Sequence, residues 1–207
     1  MNPELIVLPP DPARMVEGLR DTGYVFKTAV ADVLDNSIAA EATLVDIFLR
    51  MDFRGNISLK IFDNGHGMNR EGLIGAMQYG AKARPSPASL GKFGLGLKTA
   101  STAFCRKLSV ISRAATEDQL LKATWSLDHV VKEGKWQLMV EDADQSEAKE
   151  FQTLIGDAAG TMVVWEDVDR LLRNFAKVDG QPARKALAHT PSSKGLLRIR
   201  QDRLVLQ

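Results

Sequence analysis

The stretch "FDNGHGM", residues 62–68, decides how the chain is read. An apolar run, "ISLKIF", leads straight into Asp63, and Gly65 and Gly67 follow one residue apart, then Met68. A simple reversal needs one glycine, not two behind a carboxylate. An ionised carboxylate only accepts hydrogen bonds, so Asp63 at a strand end can receive an exocyclic amino group such as that of adenine. Gly65 and Gly67 let the backbone pass close to a flat ring where a Cβ would collide. Met68 is soft and apolar and can lie against such a ring. A tight turn closed by an Asx bond accounts for "DNG" equally well, but it gives no reason for Gly67 and Met68.

Upstream, residues 24–42 hold no Gly or Pro, and Phe26, Ala29, Val30, Val33, Ser37 and Ala40 recur at three- and four-residue spacing. This predicts a helix with a buried stripe. The helix carries "ADVLDNSIAA", in which Asp32 and Asn36 are four apart and share a face. A carboxylate there can orient or deprotonate a water. An amide oxygen suits Mg²⁺, a hard cation that takes phosphate oxygens and waters as its other ligands. Taken alone, the pair reads as the solvated face of an amphipathic helix. Asp35 offers a second carboxylate three residues along.

Downstream, "GAKARPSPASLGKFGLG" (80–96) combines two prolines with closely spaced glycines and reads as a mobile loop. Its end places Gly91, Gly94 and Gly96 directly before a helix, "LKTASTAFC", with Lys92 and Lys98 bracketing them. A glycine-rich loop opening a helix offers backbone N–H groups to a phosphate. No strand feeds the glycines as a dinucleotide fold requires, and G-x-x-x-x-G-K-[ST] is absent, so neither the Rossmann motif nor the P-loop fits.

Around these segments the chain predicts a short helix in "ARMVEGLRDTG" stopped by Gly23, a hairpin of "TLVDIFLRM" and "NISLKIF", and a helix in "NREGLIGAMQY" capped by Asn69. Four strand-like runs close it: "KLSVISR", "LLKATWSLD", "KWQLMVED" and "GTMVVWEDV". Helices mixed with strands, then strands, predict an α/β fold with a mixed sheet and helices on one face. Residues 1–172 are expected to form one domain, and 173–207 a low-pattern basic tail solvating a surface. The 207 residues are 44% hydrophobic with a net charge of +1, a soluble composition with no global field to attract nucleic acid or membrane. Cys105 is the single cysteine, so no intrachain disulfide forms, in keeping with a reducing cytoplasm. No signal peptide or membrane-spanning run is expected.

The order and spacing of "DVLDNSIAA", "DNGHGM" and "GKFGLGLKTAS" resemble the GHKL ATPases: gyrase B subunits, ninety-kilodalton heat-shock chaperones, histidine kinases, MutL and the MORC proteins. "YGAK" and "GLGLKTAS" are most similar to the MORC group and its bacterial relatives. The resemblance covers roughly residues 20–168. It implies the Bergerat fold, a two-layer α/β sandwich holding ATP and Mg²⁺ on its helical side. It implies Asp32 as the water-activating acid and Asn36 as the Mg²⁺ ligand. It also implies an ATP site drawn from Asn36, Ala40, Asp63, Gly65, Gly67, Met68, Lys82, Gly91, Lys92, Phe93, Gly94, Leu95, Gly96 and Lys98, with Thr161 of "GTMVVW" backing Asp63. Lid closure, nucleotide-dependent homodimerisation and coupling to DNA or a protein partner follow from the same resemblance. Two departures stand out. Most water-activating members carry glutamate where this chain has Asp32, which implies slow hydrolysis. Gyrase-like and MORC-like members carry a following transducer domain with a lysine that reaches the γ-phosphate; residues 173–207 do not resemble its start, so either this sequence is a fragment or that lysine is absent, and Lys82 and Lys98 would supply part of the charge. A protein kinase of the histidine-kinase or anti-sigma type and a non-hydrolysing nucleotide-binding module are the competing functions. Against the kinase, the 31 residues before the "DVLDN" segment hold no helical hairpin with a phospho-acceptor histidine, and His66, His129 and His189 do not fall on a long helix.

Residues 80–95 should gain hydrogen-exchange protection with a non-hydrolysable ATP analogue and much less with ADP, because their glycine N–H groups gain an anionic partner only with a γ-phosphate. Identical protection with both nucleotides would remove the γ-phosphate sensor from the account.

Overall fold

The computed structural model describes residues 3–52, 54–80, 96–171 and 195–200. Asp11 caps helix α1 (Pro12–Leu19) by accepting from the Arg14 N–H at 2.8 Å, with Pro12 in the first turn, where a missing N–H is harmless. Gly23, at φ +77°, turns the chain into α2 (Phe26–Ala39), which buries Ala29, Val33 and Ser37 along one stripe. Strands β1 (Leu44–Met51) and β2 (Ile57–Asp63) form the expected hairpin, pairing from Val45 opposite Asp63 to Met51 opposite Ile57. Asn69 caps α3 (Arg70–Met77), accepting from the Gly72 N–H at 2.9 Å, as its sequence position suggested. Helix α4 (Gly96–Thr102) leads into β3 (Cys105–Arg113) and β4 (Leu121–Ser126). Helix α5 (Leu127–Glu133), β5 (Met139–Asp142), α6 (Gln145–Leu154) and β6 (Gly160–Val168) follow, and β7 (Gly195–Arg200) comes last.

Among the described residues the strands make one seven-stranded sheet in the order β5-β4-β3-β6-β2-β1-β7. The α/β sandwich is therefore present, but every strand pairing is antiparallel, and the expected mixed sheet is corrected in that respect. The reason lies in the chain order. Strands β2 and β3 do run the same way, linked by a crossover through α3 and α4, which is what the alternation of helices and strands signalled. Strand β6 then inserts between them, antiparallel to both.

The main core lies between the sheet and α1–α5. It is built from Val33, Leu73, Met77 and Ala100 on the helices and Leu59, Ile61, Val110, Val163 and Trp165 on the strands. Side chains alternate across a strand, so the intervening residues Phe62, Ile111, Met162 and Val164 point to the other face. There Phe151 of α6 covers them, so not all helices share one face as expected. Both α5 and α6 went unread in the sequence, although each opens on a cap. Ser126 accepts from the His129 N–H, and Asp144 and Glu147 form a reciprocal capping box.

Residues 195–200, assigned by sequence to the tail, form β7 and pair with β1 from Leu44 opposite Arg200 to Leu49 opposite Gly195. This covers a strand edge that would otherwise present unpaired N–H and C=O groups. The expected boundary at residue 172 lies outside the described residues.

One buried cation ties the frame together on the helical side. Arg20, at the end of α1, donates from Nε to the Thr102 carbonyl at 2.9 Å, and its guanidinium meets the Asp169 carboxylate just past β6. Termini of α1, α4 and β6 are thereby fixed to one another, and α2 lies among them.

Candidate functional site

The side-chain alternation of β2 places Ile57, Leu59 and Ile61 on the helical side, and Asp63 continues that series. A carboxylate therefore occupies a core-facing position, with only 5% of its surface exposed. Its oxygens are each held by one donor. The Ser37 hydroxyl of α2 donates to Oδ2 at 3.0 Å, and the Gly65 N–H donates to Oδ1 at 3.0 Å. Burial pushes the Asp63 carboxyl above its ordinary range, opposed by the Gly65 and Ser37 hydrogen bonds and by the nearby His66. A carboxylate has about four acceptor positions, so two internal donors leave it able to accept more.

The two glycines have a packing reason as well as the conformational one. A Cβ on Gly65 would sit 2.7 Å from both the Cβ and the carbonyl oxygen of Ala40, at the end of α2. Gly67 has φ +63°, and a Cβ there would overlap the Arg113 carbonyl of β3. Between them, the His66 N–H donates to the Ala40 carbonyl at 3.0 Å, satisfying an orphan acceptor at the helix end. The turn after β2 is thus clamped between the end of α2 and the end of β3.

Behind it, Ser112 of β3 uses its whole hydrogen-bonding capacity. Its Oγ accepts from the Met68 N–H at 2.9 Å, lies 2.9 Å from the Gly160 carbonyl and lies 3.0 Å from the Thr161 hydroxyl. With one hydroxyl proton, Ser112 donates to Gly160 and accepts from Thr161, which leaves the Thr161 oxygen as an acceptor. Thr161 lies directly opposite Asp63 in the β2–β6 register, but the hydroxyl bonded to Asp63 belongs to Ser37.

Ser37, Asp63, His66, Gly67, Met68 and Thr161 line one pocket between α2 and the sheet. Asn36, Ala40, Asp63, Gly67, Met68 and Thr161 all reach it, and Val33, Ala76, Leu97, Val110 and Val163 form its apolar wall. Asn36 donates from Nδ2 to the Asp32 carbonyl one turn back at 2.7 Å, so its amide nitrogen is committed and its oxygen is the group left for a ligand. Asp32 lies one turn earlier on α2. Its Oδ2 accepts from the Tyr24 hydroxyl at 2.9 Å, and a Cβ on Gly96 would come within 3.9 Å of that same oxygen. Burial raises the Asp35 carboxyl above its ordinary range, and the charge of Asp32 adds to the effect.

Gly65 lies beneath the pocket, against Ala40, and Gly96 opens α4 beside Asp32. Lys98 is buried, its ammonium donates at 2.8 Å to the carbonyl of Ala76, a residue of the pocket lining, and it sits 6.0 Å from the Tyr79 ring centre. Lys82, Gly91, Lys92, Phe93, Gly94 and Leu95 lie outside the described residues. Ser37, Ser112 and Tyr24 were not singled out for the site. Ser37 carried a signal, since it is a hydroxyl in an otherwise apolar helical stripe. Ser112 and Tyr24 carried none, because their partners are far away or across a helix start. Among the described residues there is no cluster of three His, Cys, Asp or Glu side chains able to hold a metal. No helix among them is long and apolar enough to cross a membrane.

Comparison with known proteins agrees with this geometry. The sequence profile of the histidine kinase-, DNA gyrase B- and HSP90-like ATPases matches residues 24–161. A segment of 77 residues is 39% identical to the mouse (Mus musculus) ATPase MORC2B, covering 35% of this chain and 8% of that protein. Over 77 residues it is 38% identical to human (Homo sapiens) ATPase MORC2, again over 8% of its length. The match thus spans under a tenth of the curated relatives.

Substitution Asp63→Asn separates ligand binding from folding. Because the folded-state carboxyl is raised, the folded protein holds the proton more tightly, and stability falls as pH rises from the unfolded value through the raised one. At neutral pH the buried charge is therefore a burden that asparagine removes. The variant should melt, without ligand, at or above the wild-type temperature at pH 7. Its ATP affinity should fall by about ten- to a hundredfold, the loss of one hydrogen bond to a charged acceptor at about 1.5–3 kcal/mol. Unchanged ATP affinity by calorimetry in the folded variant would exclude Asp63 as a ligand-binding group.

Proposed function

The chain belongs to the histidine kinase-, DNA gyrase B- and HSP90-like ATPase family, and from that premise we propose that it is a Mg-ATP-binding ATPase module that closes a lid, dimerises and acts on DNA or a protein partner. The observation that carries the reading is the buried Asp63 carboxylate facing an apolar pocket, with the Asn36 amide on the adjoining helix wall.

In this reading Asp63 accepts the adenine 6-amino group, and the 5% exposure of Asp63 makes that contact selective, since a ring with an acceptor at that position would set it against a buried carboxylate. Val33, Val110, Val163 and Met68 enclose the ring. The Thr161 oxygen offers a further acceptor at the base edge. Gly91, Lys92, Phe93, Gly94 and Leu95, with Lys82, are assigned to the phosphates by their place in the glycine-rich sequence before α4. Mg²⁺ fits the donor set on the described residues. It takes few protein ligands and several waters and phosphate oxygens, and Asn36 supplies one neutral oxygen whose amide is already oriented by the Asp32 carbonyl. When bound, the ion neutralises phosphate charge.

Asp32 receives the proton of the attacking water. The water oxygen bonds to the γ-phosphorus, the bond to the β–γ bridging oxygen breaks, and ADP leaves with its electron pair. The aspartate side chain is one methylene shorter than the glutamate of most relatives, so turnover is slow. Dimerisation has its own support in the N-terminal stretch. Leu5, Ile6, Val7 and Leu8 are 67–91% exposed, a continuous apolar run that a second copy would cover. Asp32 and Asn36, the two side chains this reading assigns to the water and the metal, share α2.

A non-hydrolysing nucleotide switch is the second reading, favoured by the aspartate at position 32. Substitution Asp32→Ala distinguishes them. Under the ATPase reading the variant keeps ATP affinity within about twofold and loses phosphate release by about a hundredfold or more, because the carboxylate acts on the transition state and not on the bound nucleotide. Wild-type phosphate release from folded Asp32→Ala would remove Asp32 from the chemistry, and an inactive wild-type protein that binds ATP would select the switch.

A further inference from the structure

We propose that Tyr24 is a positioning residue for hydrolysis: its hydroxyl grips Asp32 Oδ2, so that Oδ1 is the carboxylate oxygen presented to the attacking water. The proposal rests on the ATPase reading above and adds a residue that reading does not require.

The geometry comes from the start of α2. Gly23, at φ +77°, turns the chain immediately before Tyr24, and α2 begins two residues later at Phe26. Tyr24 therefore lies outside the helix and lays its ring back along it. The ring packs, half-buried, against the main core. Its hydroxyl reaches forward by eight residues to Asp32 Oδ2 at 2.9 Å. Thr99 of α4 lies near enough to the Tyr24 hydroxyl to act on it. The tyrosine thus connects the helix that carries Asp32 to the helix that follows the glycine-rich loop.

A half-exposed aspartate on a helix ordinarily samples several rotamers, and only some of them face a given water. A phenol donor on one oxygen selects among them before any substrate arrives. The remaining space favours the same arrangement. Gly96 has no side chain, and a Cβ there would lie 3.9 Å from Oδ2, so the gripped oxygen faces α4. Asp35, three residues along, repels the Asp32 charge and so cannot take the place of a donor. A short acid held in one rotamer can substitute for a longer acid that must be ordered on each turnover. The same contact explains why a longer acid would be disfavoured here. In Asp32→Glu the extra methylene would carry the carboxylate past the tyrosine hydroxyl.

Substitution Tyr24→Phe keeps the ring and removes only the hydroxyl. Hydrolysis is followed with enzyme in excess over ATP, so that one slow turnover is sufficient, and ATP affinity is measured separately by calorimetry. The expected result is an unchanged Kd within about twofold and a hydrolysis rate lower by about ten- to a hundredfold, the size of an ångström-scale misplacement. On an Asp32→Ala background, Tyr24→Phe should cause no further loss, since the hydroxyl acts only through that carboxylate. Wild-type hydrolysis by Tyr24→Phe, a matching loss of ATP affinity, an additive loss on Asp32→Ala or a wild-type protein without hydrolysis would each overturn the proposal. Failure of Tyr24→Phe beside an inactive Asp32→Ala would leave the ATPase reading standing, whereas active Asp32→Ala would remove both.

Discussion

A carboxylate placed on the core side of a β-sheet is the constraint on which the rest of this structure depends. Strand parity puts Asp63 where an isoleucine or valine would normally sit, and burial there disfavours the charged form. The fold answers with two donors from different directions. Ser37 brings α2 down onto the strand end, and the Gly65 N–H requires the turn to bend back at once. Each of these has a further requirement. The bend brings Gly65 against Ala40 and Gly67 against Arg113, where any side chain would collide. The helix end then receives the His66 N–H on the Ala40 carbonyl. One buried acid thus sets the distance between α2 and the sheet, and the pocket is the space that distance leaves.

Helix α2 consequently carries two functions on adjacent turns. Its lower end, Ser37 and Ala40, belongs to the base-reading side of the pocket. Two turns up from Ala40, Asp32 faces Gly96 at the start of α4, and Asn36 lies between the two regions on the pocket wall. Because α2 is fixed at its C-terminal end by the turn after β2, and α4 is fixed to α1 by Arg20, a change at Asp32 leaves the base pocket in place. Binding and turnover are therefore expected to respond to different substitutions.

Much of this was legible in the sequence because it was local. The "DNGHGM" stretch announced Asp63 and its glycines, the helical stripe announced α2, and the Asn69 cap announced α3. Their joint order pointed to the family. The readings that failed depended on long-range pairing. Nothing local in "GTMVVWEDV" says that it inserts between β2 and β3, so the sheet was expected to be mixed. The α5 and α6 helices open on ordinary caps but follow strand-like runs, and their short length hid the helical period. Residues 195–200 looked like part of a tail because their partner, β1, lies about 150 residues earlier. The hydroxyls of Ser112 and Tyr24 matter only through what they touch, at Met68, Thr161 and Asp32, and no spacing rule reveals such contacts.

The central claim is that Asp63 reads an amino group at the six position of a purine. Calorimetry of the wild-type protein with ATP and with inosine triphosphate tests it without altering any residue. Inosine triphosphate keeps the ring and phosphates and carries a carbonyl oxygen where adenine carries the amino group, so it presents an acceptor to a buried acceptor. The account predicts that it binds about ten- to a hundredfold more weakly than ATP, the consequence of losing one hydrogen bond to a charged acceptor and setting an acceptor in its place. Equal affinity for the two nucleotides would contradict it.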